Sequence, residues 1–287
     1  MLPFRAEVIG SLLRSRRLKD RGRAAQEGRL APADYRATLE QEIARVVARQ
    51  EDIGLPVVTD GKLARSWFGF FFEGLEGFRL EPSHFKFKDA HGASFDWPTC
   101  VAAGQIRRRA PITLEAFERA NGLVRRALVK TTMPAPSAFH FFRLGQSVDA
   151  AAYPDLSQFF DDLVAVYRAE LAELARAGCR YVQFDEVPIA MLCDPDVCRQ
   201  GEVQGGDPVA LLETYISLLR RIAADRPAHM RLGLHLCRGN FRGRWMAAGG
   251  YEPVAEKLFA EAPVDTFRLK YDSACRRLPA IALSAQA

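Results

Sequence analysis

Arg231-Leu-Gly-Leu-His-Leu-Cys-Arg-Gly-Asn240 is an apolar run that ends in His235-x-Cys237. Side chains on a strand alternate between its faces, so His235 and Cys237 lie on the same side, about two strand rises apart. An imidazole nitrogen and a thiolate sulfur are the usual zinc-ligand types, and a strand end holds both without a loop having to order. Two donors do not make a zinc site. Other strands must bring further donors to the same rim.

On both sides of this run, apolar strands alternate with amphipathic helices. A long helix with the buried stripe Leu39, Ile43, Val46, Val47 and Ile53, capped by Asp34 and ended by Gly54, leads to the strand Leu55-Pro-Val-Val-Thr-Asp-Gly-Lys62. A helix over about 113–127 precedes the strand Leu128-Val-Lys-Thr-Thr-Met-Pro134. A helix from Leu156 to Ala177, stopped by Gly178, feeds Tyr181-Val-Gln-Phe-Asp-Glu186. A further helix over about 208–224 enters the His-x-Cys strand, and a short helix after Pro253 enters Thr266-Phe-Arg-Leu-Lys-Tyr-Asp272. Val8-Ile9-Gly10-Ser11 reads as a short strand end where Gly10 admits a close approach, or as a simple turn. Residues 67–110, rich in Phe, break the alternation and predict a hairpin excursion whose aromatics either fill core or line a substrate mouth. Repeated strand-helix units with polar strand exits predict an α/β fold, a TIM-type (β/α)8 barrel with its chemistry at the C-terminal rim. An open doubly wound sheet is the alternative, but there is no glycine-rich phosphate loop to support it.

Composition narrows the function classes. The 287 residues are 48% hydrophobic and 26% charged, and the formal net charge is +5. That balance suits a globular chain expected to form a single barrel domain over 1–287. The basic residues are spread out, and the densest cluster, Arg14 to Arg23, reads as a solvated helix face rather than a nucleic-acid patch. No apolar run is long enough to span a membrane and the N-terminus has no signal-peptide pattern, so a cytoplasmic protein without membrane partners is expected. Six cysteines without paired spacing argue against a disulfide scaffold.

At the strand exits the sequence collects Gly10 and Ser11, Asp60 and Lys62, Asp185 and Glu186, His235 and Cys237, and Lys270 and Asp272. Such a rim suggests a polar small-molecule pocket, with Asp185 and Glu186 either as candidate catalytic carboxylates or as a pair that caps the next helix. Ile9-Gly10-Ser11, Gln50-Glu-Asp-Ile-Gly-Leu55 with Val58-Thr-Asp-Gly61, Gln183-Phe-Asp-Glu186, Leu192-Cys-Asp-Pro195, and above all His235-Leu-Cys-Arg-Gly-Asn240 followed by Gly249-Gly-Tyr-Glu-Pro253 resemble the cobalamin-independent methionine synthase family, in particular its short single-barrel members. The resemblance runs from about residue 5 to 272. It implies a cytoplasmic methyltransferase of methionine biosynthesis, moving a methyl group from 5-methyltetrahydrofolate, usually polyglutamylated, to homocysteine bound as a thiolate on zinc. It further implies that His235 and Cys237 are metal ligands, that Ile9, Gly10 and Ser11 hold the amino acid's carboxylate, that Asp185 holds its ammonium, and that the folate lies near Phe139 to Phe142. Alkyl transfer to another thiol, or a non-catalytic barrel that binds a small molecule, are the competing expectations.

Two positions reverse a charge relative to that family. Lys62 stands where a substrate-side glutamate is usual, and Lys270 where a third, glutamate ligand is usual. An ammonium adds repulsion beside a divalent cation, so Lys62 and Lys270 are expected to pair with rim carboxylates such as Asp60, Asp185 or Glu186. Only Ser273 to Ala287 follow, too few for a helix and two strands, with Ala287 where the last ligand cysteine would stand. The barrel is therefore expected to be incomplete at its C-terminal end, and an open strand edge invites a homodimer.

Overall fold

The computed structural model describes residues 6–270. Parallel strands Val57–Val58, Leu128–Val129 with its continuation Thr131–Pro134, Tyr181–Glu186, Arg231–Leu236 and Thr266–Leu269 lie side by side in chain order. The Lys130 N–H donates to the Val58 carbonyl at 2.9 Å and carries the ladder across the break in the second of them. Neighbouring parallel strands joined through helices form the wall predicted from the alternation. The expected truncation, Asp272 and Ala287 lie outside the described residues.

Most helices form where the sequence signals place them, but the one expected over about 113–127 is shorter, Leu114–Asn121, and ends at Gly122. In Leu156–Arg176, Asp155 accepts the Ser157 N–H at 2.8 Å, and Phe159, Leu163, Tyr167, Leu171 and Leu174 bury one stripe against the wall. Gly178, at φ +89°, then turns the chain so that the Cys179 N–H reaches the Leu174 carbonyl at 2.9 Å. Asp207 caps Pro208–Ala223 in the same manner, accepting from Val209 at 2.8 Å. The helix Pro32–Asp52 departs from expectation at its start. Ala31 is its N-cap, Pro32 occupies the first turn with its fixed φ, and Asp34 lies inside that turn instead of capping it.

Two further differences matter for the site. Val8 to Ser11 does not form a strand, because side chains of the wall take its carbonyls: Lys130 Nζ donates to Val8 at 2.7 Å, Gln183 Nε2 to Ile9 at 2.8 Å and the Thr59 hydroxyl to Gly10 at 2.8 Å. The excursion at 67–110 is a hairpin, Leu75–Pro82 antiparallel to Pro98–Arg108, with a bulge between Glu76 and Phe78. Gly77 makes that bulge possible, since a Cβ there would sit 2.7 Å from the Gln105 carbonyl oxygen. Phe68, Phe71, Phe85 and Phe87 of this region are buried in the core, so the core reading of the aromatics holds for them.

Candidate active site

On the inner face of the wall, Asp185 is the hub. Lys62 forms an ion pair with its Oδ2, Gln183 Nε2 donates to its Oδ1 at 2.8 Å, and His235 Nδ1 lies 3.2 Å from the same oxygen. Burial pushes the Asp185 carboxyl up, but Lys62 and His235 outweigh it and hold the group well below the usual carboxylate range. An ionised carboxylate facing Nδ1 selects the tautomer with its proton on Nδ1, which leaves Nε2 as the ring's acceptor. The pairing expected for Lys62 is therefore present, and its partner is Asp185.

Local backbone aims the lysine. Gly61 and Lys62 are both left-handed, at φ +70° and +51°, and Asp60 Oδ1 accepts the Lys62 N–H at 3.0 Å. A non-glycine residue at positive φ costs about 1 kcal/mol, which the buried ion pair and Asp60 offset. Arg14 fixes the following carbonyls, donating to Lys62 and Leu63 at 3.0 Å and to Arg65 at 2.9 Å. Gly10 is needed for its bareness: a Cβ would stand 2.8 Å from Lys62 Cε.

The other expected residues divide into those that join this group and those that do not. Cys237 follows His235 at the strand exit, its N–H donating to the Glu186 carbonyl at 3.0 Å. Burial pushes its thiol up, and the Lys270 ammonium pulls the other way. Ile9 contributes its carbonyl and Gly10 its missing side chain, while Ser11 is exposed. Glu186 does not join this group, and of the two readings of the carboxylate pair its contacts match helix capping. Its side chain faces the helices, where the Ser137 hydroxyl donates to it at 2.6 Å and the Ile189 N–H at 2.9 Å, so it caps the short helix Pro188–Met191. With no cation there, burial raises its carboxyl to about 7. Phe139, Phe141 and Phe142 are buried, Phe141 stacked on Phe85 at 4.7 Å and Phe142 edge-on to Trp97 at 4.6 Å, and offer no open face to a folate.

For zinc, the donors fall short. His235 and Cys237 are of the right chemical type, but the described residues contain no group of three His, Cys, Asp or Glu placed to hold a metal. A zinc site needs three or four protein donors, and the side chain next to Cys237 at the third position is an ammonium. The described residues do not fit the metal.

Sequence reading missed Arg65 and the network beneath Asp185. Arg65 reaches the Thr132 carbonyl at 2.8 Å and its hydroxyl at 3.1 Å, and stacks 4.2 Å above the Phe70 ring. Below, Lys130 Nζ donates to Gln183 Oε1 at 2.8 Å, and Glu7 pairs with Lys130 and Arg268. Tyr181 closes this layer with hydroxyl contacts to Thr266 at 3.0 Å and Glu7 at 3.2 Å. The one signal available was spacing: Arg65 stands three residues beyond Lys62, at the edge of the aromatic run.

A family model described as cobalamin-independent synthase, catalytic domain, matches residues 4–242. Two uncharacterized proteins of Bacillus subtilis strain 168, YxjH and YxjG, are 33% and 32% identical over 276 residues, which is 94% of this chain and 71% of each relative. The 5-methyltetrahydropteroyltriglutamate–homocysteine methyltransferase of Caulobacter vibrioides is 27% identical over 252 residues, 87% of this chain but 30% of that protein. Among solved structures, a protein put forward as a vitamin-B12-independent methionine synthase from Listeria monocytogenes superposes with a TM-score of 0.72 at 28% identity, over 92% of this chain and 72% of the other. The B12-independent methionine synthase of a Shewanella species, at 15% identity and a TM-score of 0.54 over 80% of this chain and 58% of that one, shares the fold. The fold is α/β of the TIM-barrel type, and the chain belongs to the family of cobalamin-independent synthase catalytic domains.

Proposed function

We propose that the chain is a cytoplasmic methyltransferase of the methionine-synthase type that transfers a methyl group from a methylated folate to the thiol of homocysteine. The observation that carries this reading is the Asp185–His235 contact at the strand exits, within electrostatic reach of the Cys237 thiol, in a member of this family. In the transfer, the homocysteine sulfur bonds to the methyl carbon as that carbon's bond to the folate nitrogen breaks. The thiol proton must leave, and the folate nitrogen must gain one. His235, oriented by the ionised Asp185 and accepting at Nε2, takes the thiol proton. Orientation of donor and acceptor supplies much of the remaining acceleration. No step is assigned to zinc, because the described donors do not make its site.

Methionine formation from homocysteine and methyltetrahydrofolate triglutamate, followed by mass spectrometry with wild-type protein and His235→Ala, tests the proposal. Product with wild type and a loss of at least a hundredfold in the variant are expected; no product at any homocysteine concentration contradicts it.

A second reading rests on Lys62. Its ammonium sits on the carboxylate that the family resemblance gives to the substrate, as it would in a barrel that binds a small molecule without turning it over. Binding of homocysteine without any methionine formation would favour this second reading, whereas methylation of a different thiol would favour a related alkyl transfer.

A further inference from the structure

Beside Asp185 lies a second pair of opposite charges that the chain leaves incomplete. Arg65 commits Nη2 to Thr132, but its Nε and Nη1 are buried and have no hydrogen-bond partner among the described residues. Asp60 shows the complementary deficit: Oδ1 accepts the Lys62 N–H, while Oδ2 is buried and unpartnered. Asp60 and Asp185 both act electrostatically on Arg65, so the groups are close, yet no hydrogen bond joins Arg65 to either among the described residues. Orphaned N–H and carboxylate groups in the interior are rare because each forfeits its hydration. Here two of opposite sign lie within electrostatic reach of each other at the rim. Asp185 cannot serve them, being engaged by Lys62, Gln183 and His235.

We propose that Arg65 and Asp60 bind the two charged ends of an α-amino acid, Arg65 taking the carboxylate and Asp60 the ammonium. A zwitterion is the small ligand that supplies an acceptor to the guanidinium and a donor to the carboxylate at once. The guanidinium stacks 4.2 Å from the Phe70 ring centroid, a contact that limits its movement while leaving its edge N–H groups free to donate. This deepens the reading above by naming the groups that recognise the substrate's backbone. It rests on that reading only for the sulfur-bearing side chain.

Calorimetric titration of the metal-free full chain with L-methionine and with 3-(methylthio)propylamine, which lacks the carboxylate, tests it. Methionine is expected to bind at least thirtyfold more tightly than the amine. Arg65→Gln is expected to erase that ratio without changing the affinity for the amine, and Asp60→Asn to weaken both ligands. Equal affinities in the wild type, no binding of either compound, or a ratio that survives Arg65→Gln overturns the proposal; buried water satisfying both groups would give that result. Should Arg65→Gln fail to fold by circular dichroism, the wild-type ratio decides alone. Binding of glycine through Arg65 with no preference for a thioether would sink the homocysteine reading while leaving this one standing.

Discussion

Asp185 and Glu186 are adjacent on one strand, equally removed from water, and opposite in behaviour. Asp185 faces inward to Lys62 and His235 and stays ionised. Glu186 faces outward among Ser137, Tyr167 and Tyr215, meets no cation, and titrates near 7. Burial is common to both, so the difference lies in what the face offers. The inner face of this wall is a ladder of charges, with Glu7, Lys130 and Arg268 toward the strand starts and Lys62, Asp185 and His235 toward the exits. The outer face is a hydrocarbon layer in which a lone carboxyl survives by capping a helix. The proposed function rests on the inner face.

The sharpest way to break the contrast is to remove an inner cation. Lys130, fully buried, serves Val8, Gln183 and Glu7 together. Lys130→Met is expected to cost about 3–5 kcal/mol in urea unfolding, as loss of one partner from a buried charge network does. A cost below about 1 kcal/mol would mean the inner ladder is not what holds the wall.

The outer face is tested by pH. The folded Glu186 carboxyl is raised from 4.5 to about 7, so its contribution to stability is fully present below pH 4.5 and is lost as pH rises through about 7. Wild type should therefore lose about 3 kcal/mol relative to Glu186→Gln between pH 4.5 and 8. Parallel pH profiles of the two proteins would refute the assignment. Glu51 provides the opposite sign elsewhere: burial pushes its carboxyl up, but the N–H groups of Ala127, Arg126 and Arg125 bring it down to about 2. That contribution is present above pH 4.5 and is lost as pH falls through about 2.

A smaller effect sharpens the exit end. Lys62→Met removes the ammonium from Asp185 and leaves its Oδ2 free while Gln183 and His235 hold Oδ1, so a ligand ammonium meets a second available carboxylate oxygen beside Asp60. Homocysteine affinity should rise about tenfold, the equivalent of one charged hydrogen bond. Unchanged affinity would show that Lys62 does not compete with the ligand. The least effect is at the strand starts, where Thr266→Val removes one hydroxyl contact with Tyr181 and should cost about 1 kcal/mol with no change in ligand affinity.

Much of this was legible in the residues. The strand Tyr181–Glu186 and the helices around it follow from apolar periodicity and Gly178, both local signals. The charge reversal at Lys62 foretold an ion pair because a buried ammonium must find an anion. What failed was nonlocal. The segment at Val8 to Ser11 has strand-like residues, yet Lys130, Gln183 and Thr59 claim its carbonyls from distant positions in the chain. Which of Asp185 and Glu186 turns inward depends on strand register, since a one-residue slip exchanges the faces. Arg65 was invisible for another reason: among 40 basic residues, nothing local marks those whose guanidinium is buried, Arg65 and Arg238 among them.

Calorimetric titration of L-homocysteine into metal-free protein, comparing wild type with Asp60→Asn and Glu186→Gln, tests most directly the claim that the inner face at the strand exits is the ligand site. Saturable one-to-one binding that Asp60→Asn abolishes and Glu186→Gln leaves intact is the predicted result. Binding that is absent in the wild type, or lost with Glu186→Gln and kept with Asp60→Asn, would contradict it.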